Sequence, residues 1–339
     1  MKVKIKIRSI LLLCVFAFTL NNACKEEYIK YDIENETERV KKEMLQADPT
    51  IFSEDGKYYL YGTNDEAPDN GFQVFTSTNM KTWWGPEGAN NEGYALIKGD
   101  NFGDIGFWAP QVWKYQNQYY MAYTANENIA VSISDNPLGP FRSKTLEPVF
   151  STDKQIDPFV FIDDDDKKYL FYVRLINGNT IYMAEMTDDF SAIKKETVTQ
   201  CLWVTQDWEN TENNPWTVIE GPTVLKHKGY YYLIYSANDF RNPDYAVGYA
   251  VSKSIYGPWE KSKKNPVLSR ANTGWAGTGH GDIAYDKEEN MYYVFHSHNQ
   301  GSTVPRKTAM VKVRFQESNE GADELIFDGE TIYHLDSKE

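Results

Sequence analysis

The chain has 339 residues, a formal net charge of −14 and three cysteines. An acidic protein repels nucleic acid and anionic lipid head groups, so the composition argues against nucleic acid as a partner and fits a neutral one. The length allows a large buried core that needs no disulfide or metal to support it.

Residues 1–23 are predicted to be an export signal that is removed from the mature protein. Four basic residues precede an apolar stretch of eleven residues, 10–20, which is too short to cross a bilayer as a mature helix. Loss of this segment removes four positive charges and no negative ones, so the net charge of the mature chain becomes −18.

The residues around Cys24 resemble a bacterial lipoprotein signal. The segment 20–24, LNNAC, is similar to a lipobox, although its leucine stands one position further from the cysteine than usual, and the acidic residues after it resemble a cell-surface export signal. We therefore expect a lipid on Cys24 and an outer-membrane lipoprotein at the cell surface, with the lipid as its only membrane contact. A periplasm-facing lipoprotein and an ordinary secreted protein are the alternatives. Cys201 is then alone, which excludes an internal disulfide and a cysteine zinc cluster.

Residues 24–46 are predicted to be a charged tether, because glutamates and lysines there surround few apolar residues. The tether is expected to end in one short helix. No other linker interrupts the sequence, so residues 47–339 are predicted to form one domain.

A short sequence motif, called the first phrase below, occurs five times in that domain with small variations. A small or polar residue is followed by proline or glycine, one spacer and a β-branched residue, and the copies begin at Asp48, Ala109, Asp157, Gly221 and His280. The copies lie 61, 48, 64 and 59 residues apart, and an aromatic strand follows each of them, at 57–63, 118–124, 167–173, 229–236 and 290–297. Repeats of short strands at this spacing are typical of a propeller, so we predict an all-β, five-bladed β-propeller.

A second phrase closes the third strand of four units and ends in an aromatic residue: Trp83, Phe141, Phe190 and Trp259. We predict that these rings fill the seams between neighbouring sheets.

Three of the five copies of the first phrase carry a carboxylate: Asp48, Asp157 and, one residue before Gly221, Glu220. If each copy begins an innermost strand, these residues meet at one mouth of the central channel. A single aspartate of this kind could merely cap a turn. Three crowded carboxylates raise one another's pKa, so one can keep its proton while another stays ionised. Such an acid and base are what glycosidic cleavage needs.

These segments give the chain a resemblance to glycoside hydrolase family 43, five-bladed propeller enzymes that act on polysaccharides containing arabinose and xylose. The resemblance spans about residues 46–315. It implies that Asp48 is the general base, Asp157 the residue that orients the acid and tunes its pKa, and Glu220 the general acid of an inverting reaction.

A related clan of fructan-cleaving propellers fits less well, because the neighbours of the three carboxylates differ from that clan's motifs: Ala47, Ile156 and Gly221. Within family 43, an acidic residue usually follows the Trp-Ala-Pro triplet, where this chain has Gln111. We expect this change to affect fine specificity and not the reaction.

Four further residues are predicted to contact the substrate: Trp108, Phe107, His280 and Arg306. The aromatic residues could offer a flat face to a sugar ring, or could simply be core. In the family, a histidine like His280 lies beside the channel, in some members near calcium-bound water, and an arginine like Arg306 binds the terminal sugar. The alternatives are a structural role for His280 and a solvated surface position for Arg306. We expect that no cofactor is required, and the resemblance suggests a structural Ca²⁺ on the propeller axis.

Insertions between the blades contain four more tryptophans, of which one or two are expected to shape a subsite: Trp203, Trp208, Trp216 and Trp275. His296 lies on the second strand of the last unit, and we expect it to pack in the core.

The sequence therefore predicts an inverting, exo-acting glycoside hydrolase that acts as a monomer. We expect it to release terminal pentose, foremost α-L-arabinofuranose, from side chains of arabinan, arabinoxylan or arabinogalactan. A β-D-xylosidase is one alternative, because the two sugars present similar hydroxyl groups. A carbohydrate-binding propeller without catalysis is an alternative from a different class, but a pure binding protein has no need of all three carboxylates.

Overall fold

The runs of aromatic and β-branched residues form strands, as the sequence predicts. A computed structural model describes residues 41–150 and 153–338. The predicted export signal and Cys24 lie outside the described residues. Within the described ranges, no helix has the length and apolar character needed to cross a bilayer.

The described residues contain 23 strands in five sheets. The first sheet contains β1 (Lys41–Glu43), β2 (Ala47–Glu54), β3 (Lys57–Thr63), β4 (Gly71–Ser77), β5 (Trp83–Trp84), β6 (Tyr94–Ile97) and β23 (Asp336–Lys338). The second contains β7 (Trp108–Tyr115), β8 (Gln118–Ala125), β9 (Asn128–Ser134) and β10 (Arg142–Ser143). The third contains β11 (Gln155–Ile162), β12 (Lys168–Leu175), β13 (Asn179–Glu185) and β14 (Thr199–Leu202). The fourth contains β15 (Ile219–His227), β16 (Tyr230–Ala237), β17 (Ala246–Ser252) and β18 (Glu260–Lys261). The fifth contains β19 (Gly279–Tyr285), β20 (Met291–Asn299), β21 (Ser302–Gln316) and β22 (Glu324–His334). The short helices are three 3₁₀ turns, Asn91–Gly93, Lys195–Thr197 and Asp207–Asn210, and α1 (Arg270–Thr273).

In the four-stranded sheets the strands follow the order of the sequence, and neighbours pair antiparallel. The first sheet has the order β1-β23-β5-β4-β3-β2, with β6 paired to β4. One edge strand of each sheet, β2, β7, β11, β15 or β19, contacts the corresponding strand of the next sheet, and β19 contacts β2. This cyclic arrangement is an all-β propeller fold, in which these inner strands line a central channel.

Every inner strand has a β-bulge at the repeated phrase. The pairing register with the second strand shifts there, and the residue at the bulge has a left-handed φ of 41° to 58°: Asp48, Ala109, Asp157, Gly221 and His280. A bulge bends its strand and redirects a side chain. The repeated phrase is therefore the sequence signal of a repeated backbone distortion that faces the channel.

Buried hydrophobic residues form clusters between neighbouring sheets. The aromatic residues predicted to fill the seams lie in or against these clusters: Trp83, Phe141, Phe190 and Trp259. Phe141 of the second sheet packs edge-on against Tyr61 of the first, with ring centroids 6.5 Å apart. Trp83 of the first sheet lies in one cluster with Val294 of the fifth. The prediction that these rings fill the seams is confirmed.

Residues Lys42–Ser337 form one compact unit, which overlaps the end of the predicted tether, 24–46. The strand β1 forms where the sequence suggests a short helix. Met44 is buried, its N–H donates to the carbonyl oxygen of Leu335 and its carbonyl oxygen accepts from the N–H of Thr308. These backbone hydrogen bonds join the segment to Leu335 and to Thr308 of β21, and so hold it in extended form.

Candidate active site

A cavity of about 490 Å³ opens where the inner strands begin. Its lining includes six of the residues predicted from the sequence: Asp48, Trp108, Asp157, Glu220, His280 and Arg306. The three carboxylates, which are far apart along the chain, therefore share one cavity.

Asp48 is buried beside a guanidinium, an imidazole and a hydroxyl group. Its Oδ1 accepts a hydrogen bond of 2.8 Å from Nη1 of Arg306 and lies 3.3 Å from Nδ1 of His280. Its Oδ2 accepts one of 2.7 Å from the hydroxyl of Thr63. Burial by itself would raise the pKa of Asp48, but the charge of Arg306, then that of His280, holds it well below its usual range.

Arg306 is held from both sides by carboxylates. Besides Asp48, it contacts Asp65, whose Oδ2 lies 3.0 Å from Nε and whose Oδ1 lies 2.8 Å from Nη2. The residue is 6% exposed, so it is not the solvated surface arginine that was the alternative. Two acidic partners and its burial fix the guanidinium beside Asp48.

His296, expected to pack in the core, is fully buried and also reaches the site. Its Nδ1 lies 3.2 Å from the backbone N of Asp48. Burial, together with the charge of Arg306, lowers the pKa of His296 to about 4, so the imidazole is neutral and can accept this N–H. The ring thus positions the backbone that bears Asp48.

Glu220 is held by neutral donors. The hydroxyl of Tyr245 donates to Oε1 at 2.9 Å, and Nδ2 of Asn179 donates to Oε2 at 2.9 Å. The indole Nε1 of Trp216 donates in turn to Oδ1 of Asn179 at 2.9 Å, which fixes the direction of the amide. Both carboxyl oxygens of Glu220 are therefore oriented by uncharged groups.

The pKa of Glu220 is raised to about 7. Burial is the largest cause, the two hydrogen bonds oppose it, and the negative charges of Asp48 and Asp239 add to it. No cation is among these leading causes, in contrast to Asp48.

Asp157 lies between these two groups. Its Oδ2 accepts a hydrogen bond of 3.1 Å from the N–H of Gly221 and lies 3.7 Å from Nδ1 of His280. Burial, then the charges of Glu220 and Asp48, raise the pKa of Asp157 well above its usual range. Because Asp157 and Glu220 interact, the two take up their first proton as a pair.

Gly221 explains why the carboxylate of the fourth sheet stands one residue earlier than in the others. Its φ is 58°, and a Cβ there would lie 2.9 Å from the ring of His280. A side chain at this position would collide with the imidazole, so glycine is needed. The longer side chain of Glu220 reaches the cavity from the preceding position.

The two aromatic residues directly before the second copy of the first phrase have different surroundings. Trp108 lines the cavity. Phe107 is fully buried and stacks on Tyr123, with ring centroids 5.9 Å apart. The prediction that Phe107 contacts substrate is wrong, because adjacent side chains of an extended chain point to opposite sides and Trp108 takes the cavity side.

Of the four tryptophans in the insertions, Trp216 lines the cavity. Trp208 packs near Tyr235 and Trp275 stacks on His334, with ring centroids 3.8 Å apart in the second pair. Trp203 lies outside the cavity lining and is 52% exposed. One tryptophan of the set is therefore in a position to shape a subsite.

The sequence profile of the family described as Glycosyl hydrolases family 43 matches residues 40–320. The chain belongs to glycoside hydrolase family 43.

Known proteins similar to this family 43 chain differ in the sugars that their names specify. The structure of an endo-1,4-beta-xylanase from Bacteroides thetaiotaomicron is 39% identical, with a TM-score of 0.79 over 88% of this chain and 99% of its own. A beta-D-galactofuranosidase of Aspergillus niger is 22% identical over 81% of each chain. An extracellular endo-alpha-(1->5)-L-arabinanase of Bacillus subtilis is 27% identical over 73% of this chain and 82% of its own. The family therefore fixes the reaction class, a glycoside hydrolase acting on carbohydrate, and leaves the sugar open.

Gln111, where family 43 usually has an acidic residue, does not line the cavity. Its side-chain amide donates to the carbonyl oxygen of Val160 at 3.1 Å and accepts from the N–H of Val160 at 2.6 Å. An ionised carboxylate could accept that N–H but could not donate to the carbonyl. In this family 43 chain, Gln111 therefore links two inner strands.

Several groups around the carboxylates were missed by sequence reasoning: Thr63, Asp65, Asn179 and Tyr245. A signal for Thr63 is present, because the aromatic strand phrases end in a hydroxyl residue in four of five repeats. The other three residues lie in loops or at strand ends, where the repeat gives no alignment.

Two carboxyl groups lie close enough to His280 to share a metal ion with it. Each of the three residues Asp157, Glu220 and His280 offers one ligand atom, and these three atoms lie within 4.8 Å of one another. Calcium takes six to eight oxygen ligands, whereas this set offers two carboxylates and a nitrogen, and both oxygens of Glu220 already accept hydrogen bonds. Among the described residues, this set cannot by itself complete the coordination of calcium, and no step of the reaction is assigned to a metal. The structural Ca²⁺ that the resemblance suggests, with His280 near its bound water, stays a prediction.

Proposed function

We propose that this family 43 glycoside hydrolase uses Glu220 as general acid and Asp48 as general base, with Asp157 orienting Glu220 and tuning its pKa. The observation that supports this most is the opposite shift of two carboxyl pKa values in one cavity. The pKa of Asp48 lies well below its usual range, and that of Glu220 is about 7. Near neutral pH the site thus offers an ionised base and a protonated acid together.

In the proposed reaction, Asp48 takes a proton from a water molecule while the water oxygen bonds to the anomeric carbon. Glu220 gives its proton to the glycosidic oxygen as the bond from that oxygen to the same carbon breaks. Attack from the face opposite the leaving group inverts the anomeric centre. A proton then returns from Asp48 to Glu220 by way of solvent, so the enzyme is restored and no cofactor is needed.

We propose that the released sugar is a terminal pentose, foremost α-L-arabinofuranose from side chains of arabinan, arabinoxylan or arabinogalactan. The cavity of about 490 Å³ has walls from loop residues such as Trp216 and Phe240, which favours binding of a chain end. Trp108, His280 and Arg306 are proposed substrate contacts, because all three line this cavity.

A β-D-xylosidase activity is the second candidate. The specific observation in its favour is the 39% identity to a chain named as an endo-1,4-beta-xylanase, which favours a xylose-containing substrate but not cleavage at a chain end. A carbohydrate-binding propeller without catalysis has less support, because the opposite pKa shifts serve proton transfer and not binding.

We also propose that the five sheets are five blades around one axis, which the cyclic contacts of the inner strands support.

We propose further that the enzyme is a monomer, attached to the outer membrane at the cell surface by a lipid on Cys24. The lipobox-like sequence before Cys24 supports this attachment. Incorporation of labelled fatty acid into the wild type but not into C24A would be the expected result, and equal labelling of both would contradict it.

Variants of the two proton-transfer residues test the mechanism. D48A and E220A should each lower kcat/KM on nitrophenyl pentosides by about 10²–10⁴-fold. E220A should lose more on an oligosaccharide than on the nitrophenyl substrate, whose leaving group needs less protonation, whereas D48A should lose equally on both. Wild-type rates in either variant, with the fold intact by circular dichroism, would show that the assigned roles are wrong.

The products test the substrate and stereochemistry. Side-by-side digestion of arabinan, arabinoxylan and arabinogalactan should release free arabinose, and proton NMR at early times should show the inverted anomer. Release of xylose from nitrophenyl β-D-xyloside at a higher kcat/KM than arabinose would favour the second candidate. Binding of oligosaccharide without any product over days would favour the non-catalytic propeller.

A further inference from the structure

Neighbouring inner strands are joined by one repeated hydrogen bond. At four of the five bulges, the N–H of the bulge residue donates to a side chain near the end of the second strand of the preceding sheet. This holds for four sheets: Ala109 to Thr63 at 3.0 Å, Asp157 to Thr124 at 3.0 Å, His280 to Ser236 at 2.8 Å and Asp48 to His296 at 3.2 Å. The accepting residues occupy equivalent positions, because each pairs with the residue just before the bulge of its own inner strand.

The third sheet departs from this rule. Val173 occupies the equivalent position, paired with Ile156, and its side chain has no atom that can accept a hydrogen bond. The N–H of Gly221 donates instead to Oδ2 of Asp157, at 3.1 Å.

The first sheet shows what a hydroxyl does at this position. Thr63 accepts the N–H of Ala109 at 3.0 Å and donates to Oδ2 of Asp48 at 2.7 Å. The hydroxyl thus lies between the carboxylate and the next inner strand, and Asp48 makes no direct bond to the N–H of Ala109. Valine and threonine have nearly the same shape. Val173 therefore occupies the same space as Thr63 does in the first sheet, but it has no hydroxyl to stand between the carboxylate and the next inner strand.

We propose that Val173 is a positioning residue, whose lack of a hydroxyl lets the N–H of Gly221 hold the carboxylate of Asp157 directly beside Glu220. Gly221 is the residue after Glu220, so this bond ties Asp157 to the backbone that bears the acid. This role rests on the proposed functions of Asp157 and Glu220. Val173 itself touches neither the substrate nor the reacting atoms.

Other charges around the pair stay in place when residue 173 changes. The titratable groups that face Asp157 or Glu220 are Asp48, Asp239, Arg241, Tyr245, His280 and Arg306. Val173 itself is buried in the hydrophobic cluster between the third and fourth sheets and carries no charge. A change at this position therefore acts on Glu220 through the place of Asp157.

A hydroxyl at position 173 should accept the N–H of Gly221 and donate to Asp157, as Thr63 does for Asp48. Asp157 would then be held by its own sheet, further from Glu220. The two carboxyls would repel each other less, so the pair would take up its first proton at a lower pH. The fall of kcat/KM on the alkaline side would move to lower pH by about one unit, and activity above that fall would drop about tenfold.

The experiment compares V173T and V173S, which introduce the hydroxyl, with V173A, which removes bulk and leaves the bond from Gly221 to Asp157. The ¹³C resonance of the Glu220 carboxyl, assigned with E220Q, is titrated in each, alongside pH profiles of kcat/KM. V173T and V173S should titrate about one pH unit below the wild type, and V173A should match the wild type while melting at a lower temperature. V74T, which buries a hydroxyl in the cluster between the first and second sheets, should lose stability without any change in titration.

Two outcomes would overturn the inference. In one, neither hydroxyl variant changes the titration of Glu220. In the other, V173A or V74T changes it as much as V173T, which would assign the effect to loosened packing. The NMR titration needs no turnover, so absence of hydrolysis in the wild type would refute the proposed function and still leave the role of Val173 decided.

Discussion

The surroundings of Asp48 and of Glu220 differ in one respect, although both carboxyls are buried in the same cavity. Asp48 faces the fifth sheet and is bonded to Arg306, with His280 at 3.3 Å. Glu220 faces the third and fourth sheets and is bonded to Asn179 and Tyr245, which carry no charge near neutral pH. Burial favours the neutral form of both carboxyls, so the cation decides which one stays ionised.

This difference shows that the site separates its two proton-transfer roles by the choice of partners and not by depth. A carboxylate that accepts hydrogen bonds from neutral groups keeps a raised pKa when burial outweighs those bonds, as at Glu220. The same burial beside a fixed guanidinium gives a lowered pKa, as at Asp48. Substitution of the groups that contact Asp48 or Glu220, with both carboxyls kept, should therefore shift their pKa values and weaken Asp48 as base or Glu220 as acid.

Loss of the guanidinium should have the largest effect. R306A would leave the buried Asp48 and the partly buried Asp65 without the guanidinium, which costs about 3–5 kcal/mol of unfolding free energy at neutral pH. The pKa of Asp48 would rise, so the acid side of the kcat/KM profile would move to higher pH, and activity at pH 7 would fall by about 10²-fold or more. Urea unfolding at pH 7 and pH 4 and a pH profile measure both effects.

The sign of the pH dependence identifies the cause. In the wild type, Asp48 has a depressed pKa, so its contribution to stability is present above the unfolded pKa and is lost as pH falls through the folded one. In R306A a raised pKa reverses this contribution, and the stability deficit should shrink as pH falls. R142A, which removes a surface partner of Asp100, should change the unfolding free energy by about 1 kcal/mol or less. A deficit in R306A that is equal at both pH values would contradict the account.

Sequence reasoning found the carboxyls of this comparison but not what distinguishes them. Asp48, Asp157 and His280 were found together because a repeated phrase encodes a repeated bulge, and the fold brings equivalent positions to one channel. Asp65, which orients Arg306, lies in a loop, and Asn179, which orients Glu220, is the first residue of β13; no repeat specifies the conformation at either place. The direction of a pKa shift depends on such contacts at about 3 Å, and a sequence pattern does not specify them.

Removal of the Tyr245 hydroxyl should have a smaller effect, on the Glu220 side. The hydrogen bond from Tyr245 stabilises the ionised carboxyl and lowers the pKa of Glu220. Y245F should therefore raise that pKa, and the alkaline fall of kcat/KM should move up by about one pH unit. The acid side, set by Asp48, should stay in place.

Y172F is the matched control for Y245F. Tyr172 is also a buried tyrosine, and its hydroxyl has no hydrogen-bond partner within residues 41–150 and 153–338. Its pH profile should match that of the wild type. If the alkaline fall of Y245F moved down or stayed in place, the hydroxyl of Tyr245 would not be what limits the pKa of Glu220.

The fold was more predictable than the site because strands repeat and loops do not. Aromatic runs such as 118–124 and 229–236 form second strands with the expected bounds to within one or two residues. The pair Phe107 and Trp108 shows the limit of such reasoning, since both residues precede the bulge and only the alternation of an extended chain places one in the core. The strand β1 shows another limit, because its pairing depends on residues almost 300 positions away.

The smallest effect is expected from the indole of Trp216, which acts on Glu220 through one intermediate group. Its Nε1 donates to Oδ1 of Asn179 and so turns the amide nitrogen toward Glu220. W216F keeps an aromatic ring at the cavity wall but lets the amide rotate, which weakens the bond to Glu220. The alkaline fall of kcat/KM should move up by about 0.3 pH unit, less than in Y245F, because the amide still donates part of the time.

W203F makes the same change at an exposed tryptophan outside the cavity lining and should leave the pH profile as in the wild type. A rise in KM without any movement of the alkaline fall would assign Trp216 to sugar contact alone, and the difference between the two carboxyls would then depend on Tyr245 and burial.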